Sequence, residues 1–129
     1  MAPRQRFGRL GPPDHLVPCH HDPWPENFVD ADAGLRLLDW EYSAMGDPAW
    51  DLADVVVEAA LDPAATDRLL ASYSDGEVSP ALRDRVAALG PVTDLLWGLW
   101  ALVQSRDGNQ AMDYATYGRD RIRRAGQPR

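Results

Sequence analysis

Three side chains with oxygen donors stand at spacings that suit phosphoryl transfer. Asp22 and Asn27 lie five residues apart in a proline-rich stretch, and Asp39 follows a dozen residues later. Phosphoryl transfer needs a carboxylate to accept or orient the proton of the attacking hydroxyl, and hard oxygen ligands to hold magnesium against the phosphates. The spacing also fits turn residues beside two prolines and a carboxylate that caps a strand end, and that alternative stays open.

A loop and a hairpin could bring these three side chains together. The apolar step Leu16 to Cys19 predicts an extended segment, and Pro23 and Pro25 exclude a regular helix interior after it. Residues 28–29 and 35–40 are typical of two strands joined by the turn 30–34. Such a hairpin returns Asp39 to the loop that carries Asp22.

The rest of the chain predicts helices. Asp47-Pro48, Asp62-Pro63 and Ser79-Pro80 each have the pattern of an N-cap followed by proline. These signals predict helices to about Leu61, to about Tyr73, and one that ends before Gly90-Pro91. Further helices are expected over about 92–105 and 109–124. The predicted fold class is α+β and mostly α-helical, with an irregular segment at 1–15 and one domain at 16–126.

Composition excludes several classes of function. The chain has 129 residues and a formal net charge of −7, which argues against general nucleic-acid binding. A single cysteine, Cys19, excludes an internal disulfide, and we interpret it as a small buried apolar residue rather than a zinc ligand. We expect no signal peptide and no membrane span, because no uninterrupted apolar run approaches the ~20 residues that a span needs. The predicted location is the cytoplasm.

The motif from His20 to Asn27 resembles the catalytic loop of the aminoglycoside phosphotransferase and choline kinase superfamily, which is related to protein kinases. The stretch 38–42 resembles its metal-binding segment, and 46–53 matches what usually follows. The resemblance implies the C-terminal lobe of a protein-kinase-like fold, with Mg2+ as cofactor and ATP as co-substrate. It implies Asp22 as catalytic base, Asn27 and Asp39 as magnesium ligands, His20 orienting the loop, and structural support from Glu41 and Asp51.

The apolar stretch 95–104 resembles the late helix of choline and ethanolamine kinases, and 112–115 resembles the segment after it. That family holds its ammonium group in an aromatic and acidic box. Trp97 and Trp100 are three apart and share a helix face that Gln104 continues, and π faces suit a trimethylammonium group. Tryptophans at this spacing are also common in cores, and an acid on the first helix could simply face solvent. Carried over, the box would consist of Tyr42, Glu58, Trp97, Trp100 and Tyr114.

The family's N-terminal lobe has no counterpart in this sequence. The chain contains no lysine, and residues 8–11 do not form a glycine-rich phosphate loop. We expect a truncated chain, or a lobe that needs an N-terminal-lobe polypeptide or self-association, with negligible kinase activity alone. We also expect apolar surface to be exposed on the face that such a lobe covers.

The predicted acceptor is a small amino alcohol such as choline or ethanolamine. Within the same superfamily, the alternatives are an aminoglycoside, thiamine or another amino alcohol. A polycationic aminoglycoside is expected to recruit many carboxylates, whereas this sequence offers paired tryptophans. A non-catalytic remnant that binds a partner or a small cation is the remaining alternative.

Overall fold

Four short strands and a 3₁₀ turn precede four α-helices. The computed structural model describes residues 10–127, and every structural statement below refers to that part of the chain. Residues 10–15 form no strand or helix, and residues 1–9 of the predicted irregular segment lie outside the described part. The strands are β1 (Val17–Cys19), β2 (Phe28–Ala31), β3 (Gly34–Leu37) and β4 (Ala44–Gly46), and the 3₁₀ turn is Pro25–Asn27. The helices are α1 (Pro48–Glu58), α2 (Pro63–Tyr73), α3 (Pro80–Arg106) and α4 (Tyr114–Ala125).

The strands form two separate antiparallel pairs. β2 and β3 make the predicted hairpin, with Phe28 opposite Leu37, although β3 ends at Leu37 rather than at Trp40. β1 pairs with β4, so that Cys19 lies opposite Ala44. This second pair brings together the two ends of the segment 20–43. The loop and the hairpin therefore belong to one segment whose two ends are joined by the β1–β4 pairing.

The three predicted helix starts are confirmed. The side chains of Asp47, Asp62 and Ser79 accept hydrogen bonds from the backbone N–H groups of the first turns of α1, α2 and α3, with proline directly after each cap. These bonds satisfy amides that have no partner within the helix. α1 ends at Glu58, slightly before the predicted end. α4 begins only at Tyr114, where Asp113 caps it, rather than near residue 109.

The predicted break at Gly90-Pro91 is wrong. α3 runs without interruption from Pro80 to Arg106, with Gly90 and Pro91 both buried inside it. Proline removes one helical hydrogen bond and crowds the preceding turn. Here the lost bond is offset by packing, because α3 lies against both α1 and α4. Its oxygen at Gly90 accepts a hydrogen bond from Thr93 Oγ1 at 2.9 Å.

The uninterrupted α3 has the length and apolar composition of a membrane-crossing helix, and among residues 10–127 only this helix does. One helix of this kind is weak support for a span, since core helices pass the same test. In this structure one side of α3 packs on α1 and α4. Its other side exposes apolar residues, among them Leu95, Leu99 and Val103.

The core lies between α1, α2 and the first half of α3. Its buried members are Ala49, Leu52, Ala53, Leu70 and Val86, with Leu82 and Leu89 packed against them as the predicted face of α3 requires. Farther along, α3 and α4 approach closely at Gly98 and Gly118. A Cβ on Gly118 would lie 2.8 Å from the Gly98 carbonyl oxygen, so the contact needs glycine. This contact seats the start of α4 beside the tryptophans of α3.

Candidate functional site

The loop that follows β1 is anchored by one carboxylate of α1. Asp51 accepts a hydrogen bond from the His20 N–H at 2.6 Å through Oδ2 and from the His21 N–H at 2.9 Å through Oδ1. His21 has a φ of 67°, in the left-handed region that non-glycine residues seldom adopt. Two hydrogen bonds from one side chain hold this conformation in place. The geometry is that of the anchor predicted for Asp51.

His20 links the loop to the strand that returns beside it. Its side chain is buried, and Nε2 lies 2.8 Å from the Leu38 carbonyl oxygen. The Asp22 N–H donates to His20 Nδ1 at 3.2 Å. Both ring nitrogens of His20 are thus engaged, Nδ1 with the Asp22 N–H and Nε2 with the Leu38 carbonyl oxygen. The Trp40 ring packs edge-on against His20 at a centroid distance of 4.8 Å.

The hairpin brings Asp39 back to Asn27. The Leu38 N–H donates to the Asn27 carbonyl oxygen at 2.8 Å, which continues the β2–β3 pairing by one step. Asn27 Nδ2 donates to the Asp22 carbonyl oxygen at 3.2 Å, so the amide oxygen is left for another partner. Asp39 itself has a φ of 63°. Left-handed residues held by their surroundings are frequent at functional sites. Here His21 lies within the predicted loop motif and Asp39 in the predicted metal-binding stretch.

The charges around Asp22 suit a cation. Burial raises the pKa of Asp22, Asp39 and Glu41 raise it further, and His20 and Arg121 oppose the rise. The mutual repulsion of these carboxylates is what a bound cation would relieve. Two carboxylates and an amide oxygen are hard donors of the kind that Mg2+ takes. Within the described residues, no group of three or more His, Cys, Asp or Glu side chains is arranged to hold a metal ion.

Four aromatic rings form a continuous series beside this loop. Tyr42 meets Trp97 at a centroid distance of 6.1 Å, Trp97 meets Trp100 at 5.9 Å, and Trp100 meets Tyr114 at 5.6 Å, all edge to face. Tyr42 and Trp100 are exposed, whereas Tyr114, at the end of the series, is buried. Three of the four rings, those of Tyr42, Trp97 and Trp100, border a cleft of about 490 Å³, which is also lined by His21, Trp50 and Leu96. The four aromatic residues predicted from the sequence are thus brought together.

The acid predicted for this box has a different partner. Glu58 is ion-paired with Arg121 of α4, and both side chains are almost wholly buried. Arg121 also lies 3.0 Å from Asp94 Oδ1, through its Nε. Glu58 therefore neither faces solvent nor offers a free negative charge to the cleft, because α4 supplies it with a guanidinium. Gln104, predicted as support on the same face, accepts a hydrogen bond from Asn109 Nδ2 at 3.0 Å.

Sequence reasoning missed the carboxylate that does contact the rings. Asp54 is fully buried, and both its oxygens lie 3.1 Å from Trp97 Nε1, which donates to them. Asp54 and Trp97 are 43 positions apart, and the only available signal was an acid within the apolar run of α1. His21 and Trp50 were also missed as walls of the cleft. Trp24 does not line the cleft, and its ring meets that of Tyr117 of α4 at 6.1 Å.

The chain is similar in sequence and in fold to known proteins. Residues 4–89 match the sequence model of a phosphotransferase enzyme family. The protein LicA from Haemophilus influenzae is 35% identical over 106 residues, which cover 78% of this chain and 40% of LicA. A thiamine kinase from Shigella boydii is 45% identical over 58 residues, 45% of this chain and 21% of that enzyme.

A solved structure of another protein has the same fold. A choline/ethanolamine kinase family protein from Mesorhizobium loti superposes with a TM-score of 0.82 at 38% identity, over 95% of this chain and 41% of that one. This chain thus spans about two fifths of the length of such relatives. The prediction of a C-terminal lobe of a kinase-like fold is confirmed. With more than half of its residues matched by the family's sequence model, the chain belongs to the phosphotransferase enzyme family and resembles its choline/ethanolamine kinase members.

Proposed function

We propose that this chain is the catalytic and acceptor-binding part of a kinase that phosphorylates the hydroxyl of a small cationic alcohol, with choline or ethanolamine as acceptor and ATP as donor. The observation that carries the acceptor class is the series of four rings, three of which line the cleft. A quaternary ammonium group forms no strong hydrogen bonds and is held best by π faces.

Asp22 is the proposed base. Its backbone N–H is tied to His20, and His20 is tied to Leu38, so the carboxylate sits on a loop that is fixed at both ends. A pKa raised by burial lets this carboxylate take up a proton more readily than an exposed aspartate does. From this position it would orient the acceptor hydroxyl and receive its proton.

Asn27 and Asp39 are the proposed magnesium ligands. Mg2+, when bound, neutralises the charge that develops on the transferred phosphoryl group. The backbone hydrogen bond from Leu38 to Asn27 holds Asn27 next to the strand end that carries Asp39, so the two proposed ligands are on adjacent parts of the backbone. The proposed contribution of Asp51 is to hold the loop through the His20 and His21 amides, and Glu41 adds negative charge nearby.

Thiamine is the second candidate acceptor. The identity to a thiamine kinase is higher, although shorter, than that to LicA. Thiamine is also a cationic alcohol with a flat ring, so an aromatic cleft suits it. An aminoglycoside fits less well, since none of the residues that line the cleft is a carboxylate.

Calorimetric titration of the 129-residue chain with choline, ethanolamine, thiamine and kanamycin tests the acceptor class. We expect choline or thiamine to bind, and Trp100→Ala to weaken that binding by about tenfold, as the loss of one or two π contacts predicts. Tyr73→Ala, an exposed aromatic residue on α2 outside the cleft, is the matched control. Preference for kanamycin, or equal loss in both variants, would contradict the proposal.

Phosphate transfer is tested separately. ATP, Mg2+ and the bound acceptor are incubated with the wild-type chain and with Asp22→Asn, and the phosphorylated product is measured. We expect turnover by this chain to be close to that of the variant, since the chain spans only about two fifths of the length of such relatives. Addition of the N-terminal lobe of a relative as a separate polypeptide should raise turnover for the wild type only. Equal turnover by both under that condition would favour a non-catalytic, cation-binding role.

A further inference from the structure

Asp54 is a buried carboxylate that the catalytic proposal does not use. It lies on α1, fully buried, with the indole N–H of Trp97 shared between its two oxygens at 3.1 Å each. No other side-chain hydrogen bond or ion pair of Asp54 is found within residues 10–127. A charge that is buried without an ionic partner is costly, so such a group is retained only where something offsets its cost.

The neighbouring acids are matched by cations, and Asp54 is not. Glu58 and Asp94 share Arg121, and Asp94 also pairs with Arg124 at 2.8 Å. Asp54 is left with a neutral donor, Trp97, whose ring lines the cleft. Among these three acids, the one whose donor is neutral is thus the one that is coupled directly to the aromatic cleft.

We infer that Asp54 is a positioning and charge-discriminating residue of the aromatic cleft: by holding the Trp97 indole N–H, its ionised form makes the cleft select a cation over a neutral ligand of the same shape. This rests on the proposed function and deepens it. A carboxylate that accepts from the indole N–H polarises the ring and makes its face more negative, and it attracts a cation on that face directly. Its protonated form loses both effects.

The groups around Asp54 would make this selection dependent on pH. Burial, Glu58 on the same helix and Asp22 from the loop raise the pKa of Asp54, Trp97 of α3 and Arg121 of α4 oppose the rise, and the resulting pKa is about 7. The carboxylate would therefore change charge near neutral pH. Choline carries a fixed charge, so any change in its affinity with pH comes from the protein.

The test is calorimetric titration of the 129-residue chain at pH 6 and pH 8 with two ligands of equal shape, choline and its uncharged carbon analogue 3,3-dimethylbutan-1-ol. We expect choline affinity in the wild type to rise by about fivefold to tenfold from pH 6 to pH 8, as a partly screened charge within ~10 Å predicts. The affinity for the uncharged analogue should stay constant. This part of the test needs no variant.

Asp54→Asn keeps the shape of the side chain and one acceptor for the indole. It should bind choline about tenfold more weakly than the wild type at pH 8, bind the uncharged analogue as the wild type does, and show no rise from pH 6 to pH 8. Asp67→Asn, an exposed α2 carboxylate paired with Arg83, is the matched control and should keep the wild-type profile. A dependence on pH that persists in Asp54→Asn would come from another group and would overturn the inference.

Two further outcomes separate this inference from the proposed function. Choline binding that is equal at both pH values, or equally weakened for both ligands in Asp54→Asn, leaves the cation site in place and overturns the role of Asp54. Failure of the wild type to bind choline, ethanolamine or thiamine at pH 8 overturns the proposed acceptor class and this inference together.

Discussion

The catalytic loop and the aromatic cleft lie side by side, yet they are held in different ways. In the loop, the side chains of Asp51, His20 and Asn27 bond to main-chain groups of His20, His21, Asp22 and Leu38. Around the cleft, side chains bond to side chains on other helices. Trp97 meets Asp54, and Glu58 meets Arg121, 63 positions away.

This difference determines how well a local sequence motif predicts the contacts of a site. A main-chain partner is present whatever residue occupies the position, so the loop needs only the right side chain at the right offset. A side-chain partner depends on the identity of a remote residue. Asp51 and His20 accordingly bond to main-chain groups of the loop, while the acid that bonds to a cleft ring is Asp54 and not Glu58.

Loss of Arg121 should break the cleft side of this comparison most severely. Arg121→Leu leaves Glu58 and Asp94 buried without their shared cation, and removal of one partner of a buried ion pair costs about 3–5 kcal/mol. Urea denaturation of the variant and of the wild type measures the loss. Arg123→Leu, which removes an exposed cation of the same helix, should cost less than about 1 kcal/mol. Equal losses in the two variants would show that the network contributes nothing special.

Loss of the Asp51 carboxylate should break the loop side. Asp51→Asn can accept only one of the two N–H groups of His20 and His21, and turns a donor towards the other. Two disturbed main-chain bonds should cost about 2–4 kcal/mol in urea denaturation, with faster hydrogen exchange of both amides. Asp62→Asn, which exchanges one good cap for another on α2, is the control and should change little. Unchanged exchange at His20 and His21 would refute the anchoring role.

Ionisation of the buried Asp54 carboxylate should lower the folding stability through the cleft side of the molecule and not through the loop, which sharpens the comparison. Since the folded-state pKa is raised to about 7, the folded chain holds a proton that the unfolded chain has released above pH ~4, and stability from this group falls as pH rises towards 7. Between pH 5 and pH 8, Asp54→Asn should gain about 2 kcal/mol relative to the wild type. Stability curves against pH, with Asp67→Asn as a parallel control, measure this. Parallel curves for the wild type and Asp54→Asn would contradict it.

A helix cap provides the smallest effect, on a feature that is local like the loop but distant from both sites. Ser79→Ala removes the acceptor for the Leu82 N–H, which lies 3.1 Å from Ser79 Oγ, and should lower stability by about 1 kcal/mol. Ser79→Asp keeps an acceptor there and should restore most of the loss in the same urea experiment. A Ser79→Ala loss as large as that of Arg121→Leu would remove the distinction between local and remote contacts.

The sequence by itself determined the helix-rich fold class, the hairpin, three of the helix starts and the loop motif. Each depends on contacts within a few residues: aspartate or serine before proline caps a helix, and alternating strands around a turn must pair with each other. The residue types Tyr42, Trp97, Trp100 and Tyr114 also suggested an aromatic box, through the resemblance and the spacing of the tryptophans.

Only the tertiary structure decided which buried carboxylates have a cationic partner and whether the predicted helix break at Gly90-Pro91 occurs. Gly90-Pro91 reads as a stop locally, but the packing of α3 between α1 and α4 offsets one lost hydrogen bond. Glu58 and Asp54 lie on the same helix four residues apart, and nothing local distinguishes them. α4 supplies Arg121 to Glu58, and α3 supplies the Trp97 indole to Asp54, because burial forces each acid to find a partner and the fold determines which partner is within reach.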